Sequence, residues 1–341
     1  MQETNLHLAR WWHPGEQDKI ICTLCPRYCK IGSGQSGFCF IRKNIDGQLY
    51  STGYGHPTGF AVDPIEKKPL NHFFPGSEIL SFGTAGCNLG CRFCQNWSMS
   101  KARLDEIQSL TVSPEQVIAL ARKQRTPAIA YTYNDPTIFG EYVIDISRIA
   151  REAGIRSVMV TSGYIDKEAR KDVFRYIDAA NVDLKSFSDR FYHKLTFSHL
   201  ADVLDTLVWL KNETAVWLEI TTLLIPGEND SADEIKTMCE WILENLGAET
   251  PLHFTAFHPA FKMTDRPRTP ESTLKMAREI ALQAGIKYCY LGNIYDPTGQ
   301  TTYCPECGDS LIIRDWHTIL RNRVKDGICP KCKTVIAGVF E

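Results

Sequence analysis

The chain has 341 residues, 43% of them hydrophobic and 23% charged, with a formal net charge of −2. That balance fits a folded soluble protein rather than a disordered or fibrous one. The lack of a Lys/Arg-rich tract argues against a nucleic-acid partner, and the lack of an apolar run of about 18 residues argues against a membrane helix.

The chain opens on Met1-Gln-Glu-Thr-Asn, without the basic-then-apolar profile of a signal peptide, so a cytoplasmic protein is expected. Cytoplasmic chains do not normally keep disulfides, which makes the 13 cysteines candidate metal ligands. Eleven of them fall into three tight groups. Cys239 and Cys289 stand apart in apolar contexts and read as buried small hydrophobes.

Residues 1–75 are rich in Cys, Gly and Pro and weak in periodicity, and are expected to form a small metal-stapled module with a wrapping arm. Cys22, Cys25, Cys29 and Cys39 give C-x2-C-x3-C-x9-C, a complete set for either zinc or an iron–sulfur cluster. Gly32, Gly34 and Gly37 suggest a loop folded tightly on that metal.

From 76 to 298 short β-like runs alternate with helical stretches. The expected strands are 78–83, 128–132, 157–161, 181–184, 215–224, 252–256 and 287–291. The expected helices are 114–124, 139–153, 167–177, 200–212, 232–246 and 271–284. Ser113 before Pro114 suits a helix start, and Gly154 suits a helix stop. Such alternation predicts right-handed βαβ units and a parallel sheet, more naturally a full or partial barrel than a flat sheet. Functional groups then belong at the C-terminal ends of the strands.

The first such end carries Cys87-Asn-Leu-Gly-Cys91-Arg-Phe-Cys94, a C-x3-C-x2-C loop. Three thiolates hold three irons of a [4Fe–4S] cubane and leave the fourth iron free for a small ligand. The same set is poor for structural zinc, which wants four protein ligands.

The last segment, 299–341, holds Cys304, Cys307, Cys329 and Cys332 as two C-x2-C pairs on tight turns. This is a zinc-ribbon pattern with a tetrahedral donor set; an iron site is the alternative.

The central loop resembles the signature of the radical S-adenosylmethionine (SAM) superfamily. The similarity extends to Cys22-Thr-Leu-Cys-Pro-Arg-Tyr-Cys29, Asp63-Pro-Ile-Glu-Lys-Lys-Pro-Leu70, Phe74-Pro-Gly76 and Gln95-Asn-Trp97. These resemble pyruvate formate-lyase activating enzymes, and more closely the radical SAM enzymes of the AmmeMemoRadiSam system. The resemblance implies a partial (β/α)6 TIM-like barrel and SAM cleavage at the cluster on Cys87, Cys91 and Cys94. The resulting 5′-deoxyadenosyl radical abstracts hydrogen from a substrate that the resemblance does not name. It also implies an electron donor such as flavodoxin or ferredoxin, and Memo-like and AMMECR-like associates.

By the same resemblance Phe93 lies near the adenine. Asn134 and Asp135 in Tyr133-Asn-Asp-Pro136 stand where activating enzymes carry a Gly-Gly-Glu-Pro type segment for the SAM amine; Asp135 is one methylene shorter than that Glu. Ser162, in Thr161-Ser-Gly163, faces the SAM carboxylate or ribose. Asp183 and Lys185 match an Asp-Leu-Lys that binds SAM, and His258 matches a ribose-side His. Leu224-Ile-Pro-Gly-Glu-Asn-Asp230 resembles the family's Pro-Gly-x-Asn-Asp turn. No cysteines lie between Trp97 and Pro114, so the ferredoxin-like insert of many glycyl-radical activases is absent. A glycyl-radical-enzyme activase is the alternative enzyme reading, and a non-catalytic metal scaffold the alternative of another class.

Overall fold

The computed structural model describes residues 6–340. Its central element is an eight-stranded sheet. In chain order the strands are β1 (Thr58–Pro64), β2 (Glu78–Gly83), β3 (Ala128–Tyr131), β4 (Arg156–Thr161), β5 (Ala179–Asp183), β6 (Trp217–Leu224), β7 (Leu252–Ala256) and β8 (Cys289–Gly292). They lie in sequential order across the sheet. Strands β2 to β8 are mutually parallel, and β1 alone runs antiparallel, against β2.

Each parallel step is made through a helix: α1 (Pro114–Gln124), α2 (Gly140–Glu152), α3 (Lys167–Val173), α4 (Leu200–Glu213), α5 (Ala232–Leu246) and α6 (Glu271–Ala284). The fold is therefore α/β with a mostly parallel sheet, as the alternation predicts. No expected strand end is off by more than two residues. Ser113 caps α1 in a reciprocal box with Gln116, and Gly154 takes a φ of +71° just past α2. The expected 167–177 helix divides into α3 and a single 3-10 turn, Phe174–Tyr176.

Burial explains why these strands read as apolar runs. All four residues of β3 are buried, which is what helices covering both faces of a parallel sheet require. Strand β1 is the exception, and no strand was expected there. It is an edge strand, mostly half-exposed, with a register break between Thr58 and Ala61, and it contains Gly59 and ends on Pro64. Gly and Pro in an unalternating run hide an edge strand from pattern reading.

The two edges, β1 and β8, are not hydrogen-bonded to each other. Yet Ala61 and Asp63 from β1 and Tyr290 and Leu291 from β8 line one cavity of about 500 Å³. The sheet is thus curled into a partial barrel with a lateral opening.

Two small antiparallel sheets precede β1, one of residues 12–14, 20–22 and 30–31 and one of 7–8, 48–51 and 42–45. A third, of 302–303, 310–315 and 318–322, follows β8. The chain's end returns to the barrel. The Phe74 N–H donates to the Val339 carbonyl at 2.7 Å, and the Val339 N–H to the His72 carbonyl at 2.7 Å. Arg314, buried, donates to the Asn71 carbonyl and lies 3.6 Å from Glu66. No helix among the described residues is long and apolar enough to cross a membrane.

Candidate active site

At the C-terminal ends of β2 to β5 a cavity of about 160 Å³ is lined by Cys87, Cys91, Cys94, Asn134, Asp135, Ser162, Asp183 and Lys185, with Asn96, Ser100 and Tyr133 among its other walls. Eight of the ten expected site residues of the barrel therefore meet in one place. The order of the sheet explains it: successive strand ends are neighbours, so loops distant in sequence converge.

The cluster loop leaves β2 and is held from several sides. Asn134 accepts from the Thr84 N–H at 3.2 Å and donates to the Thr84 hydroxyl at 3.1 Å and the Gly86 carbonyl at 2.8 Å. Asn88 donates to the Tyr164 carbonyl at 2.8 Å. Within the loop the Leu89 N–H points at the Cys87 sulfur, at 3.4 Å, and Cys94 lies 3.1 Å from the Ser100 hydroxyl. Asn134, expected to touch SAM, is thus committed to holding the loop.

Asp135 is equally engaged. Its carboxylate accepts from the Thr137 N–H at 3.0 Å, the Thr161 hydroxyl at 3.1 Å, the Ser162 N–H at 2.9 Å and the Ser162 hydroxyl. The Asn134–Asp135 and Thr161–Ser162 segments, read separately in sequence, form one network joining the exits of β3 and β4.

Asp183 ends β5, and Lys185 turns back to bond it at 2.8 Å. Burial alone pulls Lys185 down; Asp183 and the nearby Cys91 sulfur more than reverse that, so the ammonium stays charged. Tyr192 accepts from the Lys185 N–H at 3.0 Å, and Asn229 donates to the Lys185 carbonyl at 2.6 Å. The Pro-Gly-Glu-Asn-Asp turn therefore positions Lys185 from behind. Burial pushes the Cys91 thiol up to about 12, against the pull of Lys185. It raises Cys87 too, where Lys101 opposes it.

Two expected site residues do not line this cavity. Phe93 is buried against Phe191, ring centroids 5.7 Å apart, and His258 is half-buried beyond β7. Sequence reading missed Lys101, whose ammonium reaches the Leu89 carbonyl inside the cluster loop. It also missed the larger cavity beside this one. The two share Tyr133, and the larger is walled by Lys67, Lys68, His253 and, from the C-terminal segment, Arg314, Trp316 and His317. Glu219, buried in β6, supports that wall by accepting from His253 at 2.7 Å and from the Asn71 and His72 N–H groups. A Glu as the one charged residue of a strand was the one signal the sequence offered.

Three thiols on one loop, with no fourth Cys or His among the cavity walls, suit a [4Fe–4S] cluster with one open iron. A family model described as the radical SAM superfamily matches residues 82–242. The chain belongs to the radical SAM superfamily. Over 306 residues it is 44% identical to an uncharacterised protein of Methanocaldococcus jannaschii, covering 90% of this chain and 91% of that one. It is 23% identical over 193 residues to the pyruvate formate-lyase-activating enzyme of Clostridium pasteurianum, covering 54% and 76%. Among solved structures, SuiB of Streptococcus suis bound to S-adenosylmethionine shares the fold, with a TM-score of 0.50 and 13% identity over 67% of this chain and 53% of that one. This radical SAM protein is accordingly an enzyme of radical chemistry, and its family uses a [4Fe–4S] cluster and SAM.

The second metal-ligand group lies in the C-terminal ribbon. The sulfurs of Cys304, Cys307, Cys329 and Cys332 all lie within 4.8 Å of one another. Cys304 and Cys332 are 3.5 Å apart, and Cys307 and Cys329 3.8 Å. Zinc–sulfur bonds of about 2.3 Å in a tetrahedron put sulfurs about 3.8 Å apart, so the set fits one metal ion.

Proposed function

We propose that this protein cleaves SAM reductively at a cluster held by Cys87, Cys91 and Cys94, and that the radical acts on a polar small molecule in the adjoining 500 Å³ cavity. The convergence of the cysteine loop and the Asp183–Lys185 pair on one cavity carries this reading. When bound, the cluster supplies the electron that breaks the sulfonium C–S bond and frees the 5′-deoxyadenosyl radical.

The chain's own residues do the rest. Lys185, kept charged by Asp183, receives the SAM carboxylate. Ser162 and the backbone of Thr132–Tyr133 border the amine, while Asp135 fixes the Ser162 turn rather than binding SAM outright. Buried aromatic and aliphatic side chains below the site exclude water from the radical. In the larger cavity Lys67, Lys68 and Arg314 outnumber Asp63 and Glu66, which favours a substrate with an anionic group. The C-terminal ribbon walls that cavity through Arg314, Trp316 and His317, leaving less room for a protein loop to enter.

A second reading, activation of a glycyl-radical enzyme, is favoured by the likeness to activating enzymes, including that of 4-hydroxyphenylacetate decarboxylase from Clostridium scatologenes, 28% identical over 121 residues. Memo-like or AMMECR-like gene neighbours would favour the first reading, and a glycyl-radical enzyme neighbour the second. The direct test is anaerobic reconstitution with iron and sulfide, then reduction in the presence of SAM. Methionine and 5′-deoxyadenosine are the expected products; an intact cluster that yields neither would sink the proposal.

A further inference from the structure

The four N-terminal cysteines lie outside the site just described, yet they abut it. Cys22, Cys25 and Cys39 are buried and Cys29 is half-buried. They share one locality: the Cys22 N–H donates to the Cys29 carbonyl at 3.0 Å, and Gly37, two residues before Cys39, packs against the Cys29 side chain.

The spread of the thiols separates this site from the ribbon. Among the described residues, no three of these four sulfurs lie within 4.8 Å of one another, whereas all four ribbon sulfurs do. The Cys87, Cys91 and Cys94 sulfurs are spread in the same way. A single zinc draws four sulfurs to about 3.8 Å apart. A cubane places its four irons at separate corners and holds its thiolates farther apart.

Position supplies the second line of support. Gly86, immediately before Cys87, has a φ of +83°, and a Cβ built there would sit 2.0 Å from the Cys39 carbonyl oxygen. Only a glycine lets the two loops approach this closely. Cys39 thus touches the residue next to Cys87, one Cα step of about 3.8 Å away. The Arg27 side chain fastens the same junction by donating to the Asn88 and Phe197 carbonyls. The Asp166 N–H donates to the Leu24 carbonyl at 3.0 Å, and the Tyr28 hydroxyl to the Asp166 carboxylate at 2.6 Å. On the outer side, exposed Tyr28 and Phe38 flank half-buried Cys29, the ligand nearest solvent.

We propose that Cys22, Cys25, Cys29 and Cys39 hold a second [4Fe–4S] cluster, which takes electrons from a low-potential one-electron carrier protein and passes them to the SAM-cleaving cluster. One electron enters at the Cys29 side and reduces the outer cluster from the 2+ to the 1+ state, leaving the carrier oxidised by one electron. It crosses the Cys39–Gly86–Cys87 contact, restores the outer cluster to 2+ and reduces the inner one; no proton moves and no covalent bond is made on the way. One electron is used per SAM cleaved. The relay rests on the function proposed above; the identity of the outer metal centre does not.

The test uses the full chain throughout. A C87A/C91A/C94A variant, reconstituted anaerobically, should retain about four irons and four sulfides, a reduced-cluster electron paramagnetic resonance signal and one zinc in the ribbon. The unmodified protein should hold about eight irons, with two reductive waves of which SAM shifts one. Two zincs and no iron in the triple variant would overturn the assignment. For the relay, Cys25→Ser should lower flavodoxin-driven SAM cleavage at least tenfold more than dithionite-driven cleavage. Equal losses with both reductants would overturn the relay. Eight irons with no SAM cleavage at all would defeat the proposed function and leave the second cluster standing.

Discussion

The C-terminal ribbon and the Cys87–Cys94 loop both consist of closely spaced cysteines, but the fold treats them oppositely. In the ribbon two tight turns face each other and bring four sulfurs together, complete in themselves. In the loop three sulfurs are spread around a cavity whose remaining walls are Asn134, Asp135, Ser162, Asp183 and Lys185. A closed set of four thiols suits a structural metal ion, whereas three thiols beside a pocket suit a cluster with one open iron. Completeness of the donor set, rather than the number of cysteines, distinguishes the two.

Deleting one cysteine from each site should have the largest effects. Cys91→Ala should abolish the cluster and SAM cleavage with it while the ribbon keeps its metal, as metal analysis and product assay will read. Cys307→Ala should do the reverse, with iron retained at the loop and zinc lost. Structural zinc in small domains binds with about 10–16 kcal/mol, so a large loss of thermal stability is expected in the ribbon. If Cys307→Ala kept its zinc, or cost the loop its iron, the division between the two would be wrong. A smaller effect tests the open side of the loop. Asp183→Asn should leave iron content unchanged and reduce SAM cleavage by roughly 10- to 100-fold, the usual cost of losing a group that orients a ligand-binding residue. An unchanged rate would remove the Asp183–Lys185 pair from the site.

The contrast also separates what could be read in the sequence from what could not. The strands β2 to β8 and six helices were legible because helix caps, apolar runs and their alternation are local signals. The three cysteine groups were legible because ligand spacing is local too. Edge strand β1 was not, since it is little buried and contains glycine. Asn134 and Asp135 line the cavity, but their hydrogen bonds turn them toward Thr84, Gly86 and Ser162. Such partners depend on which loops meet. Lys101, Glu219 and Arg314 carry no motif, and their positions follow only from how the sheet curls and where the ribbon docks.

The docking of the ribbon gives the smallest effect and separates the two regions by pH. His72, fully buried, donates through Nδ1 to the Ala337 carbonyl at 2.6 Å and accepts at Nε2 from the Tyr290 hydroxyl at 2.5 Å. Burial lowers its pKa from 6.5 to about 4; Glu219 opposes that shift, and Arg314 and His253 reinforce it. Above pH 6.5 the imidazole is neutral folded or unfolded, and the ribbon's attachment is at full strength. As pH falls from 6.5 toward 4 the unfolded chain takes a proton that the folded one refuses, so stability is lost. Between pH 7 and 5.5 the loss should be about 1 kcal/mol. His72→Gln cannot titrate and should flatten that part of the profile, measured as the difference in denaturant midpoint at the two pH values. Cluster content should not change over the same range, because His72 lies on the ribbon side of the barrel and not on the cysteine loop. An equal pH slope in wild type and His72→Gln would show that acid loosens the molecule somewhere other than the ribbon.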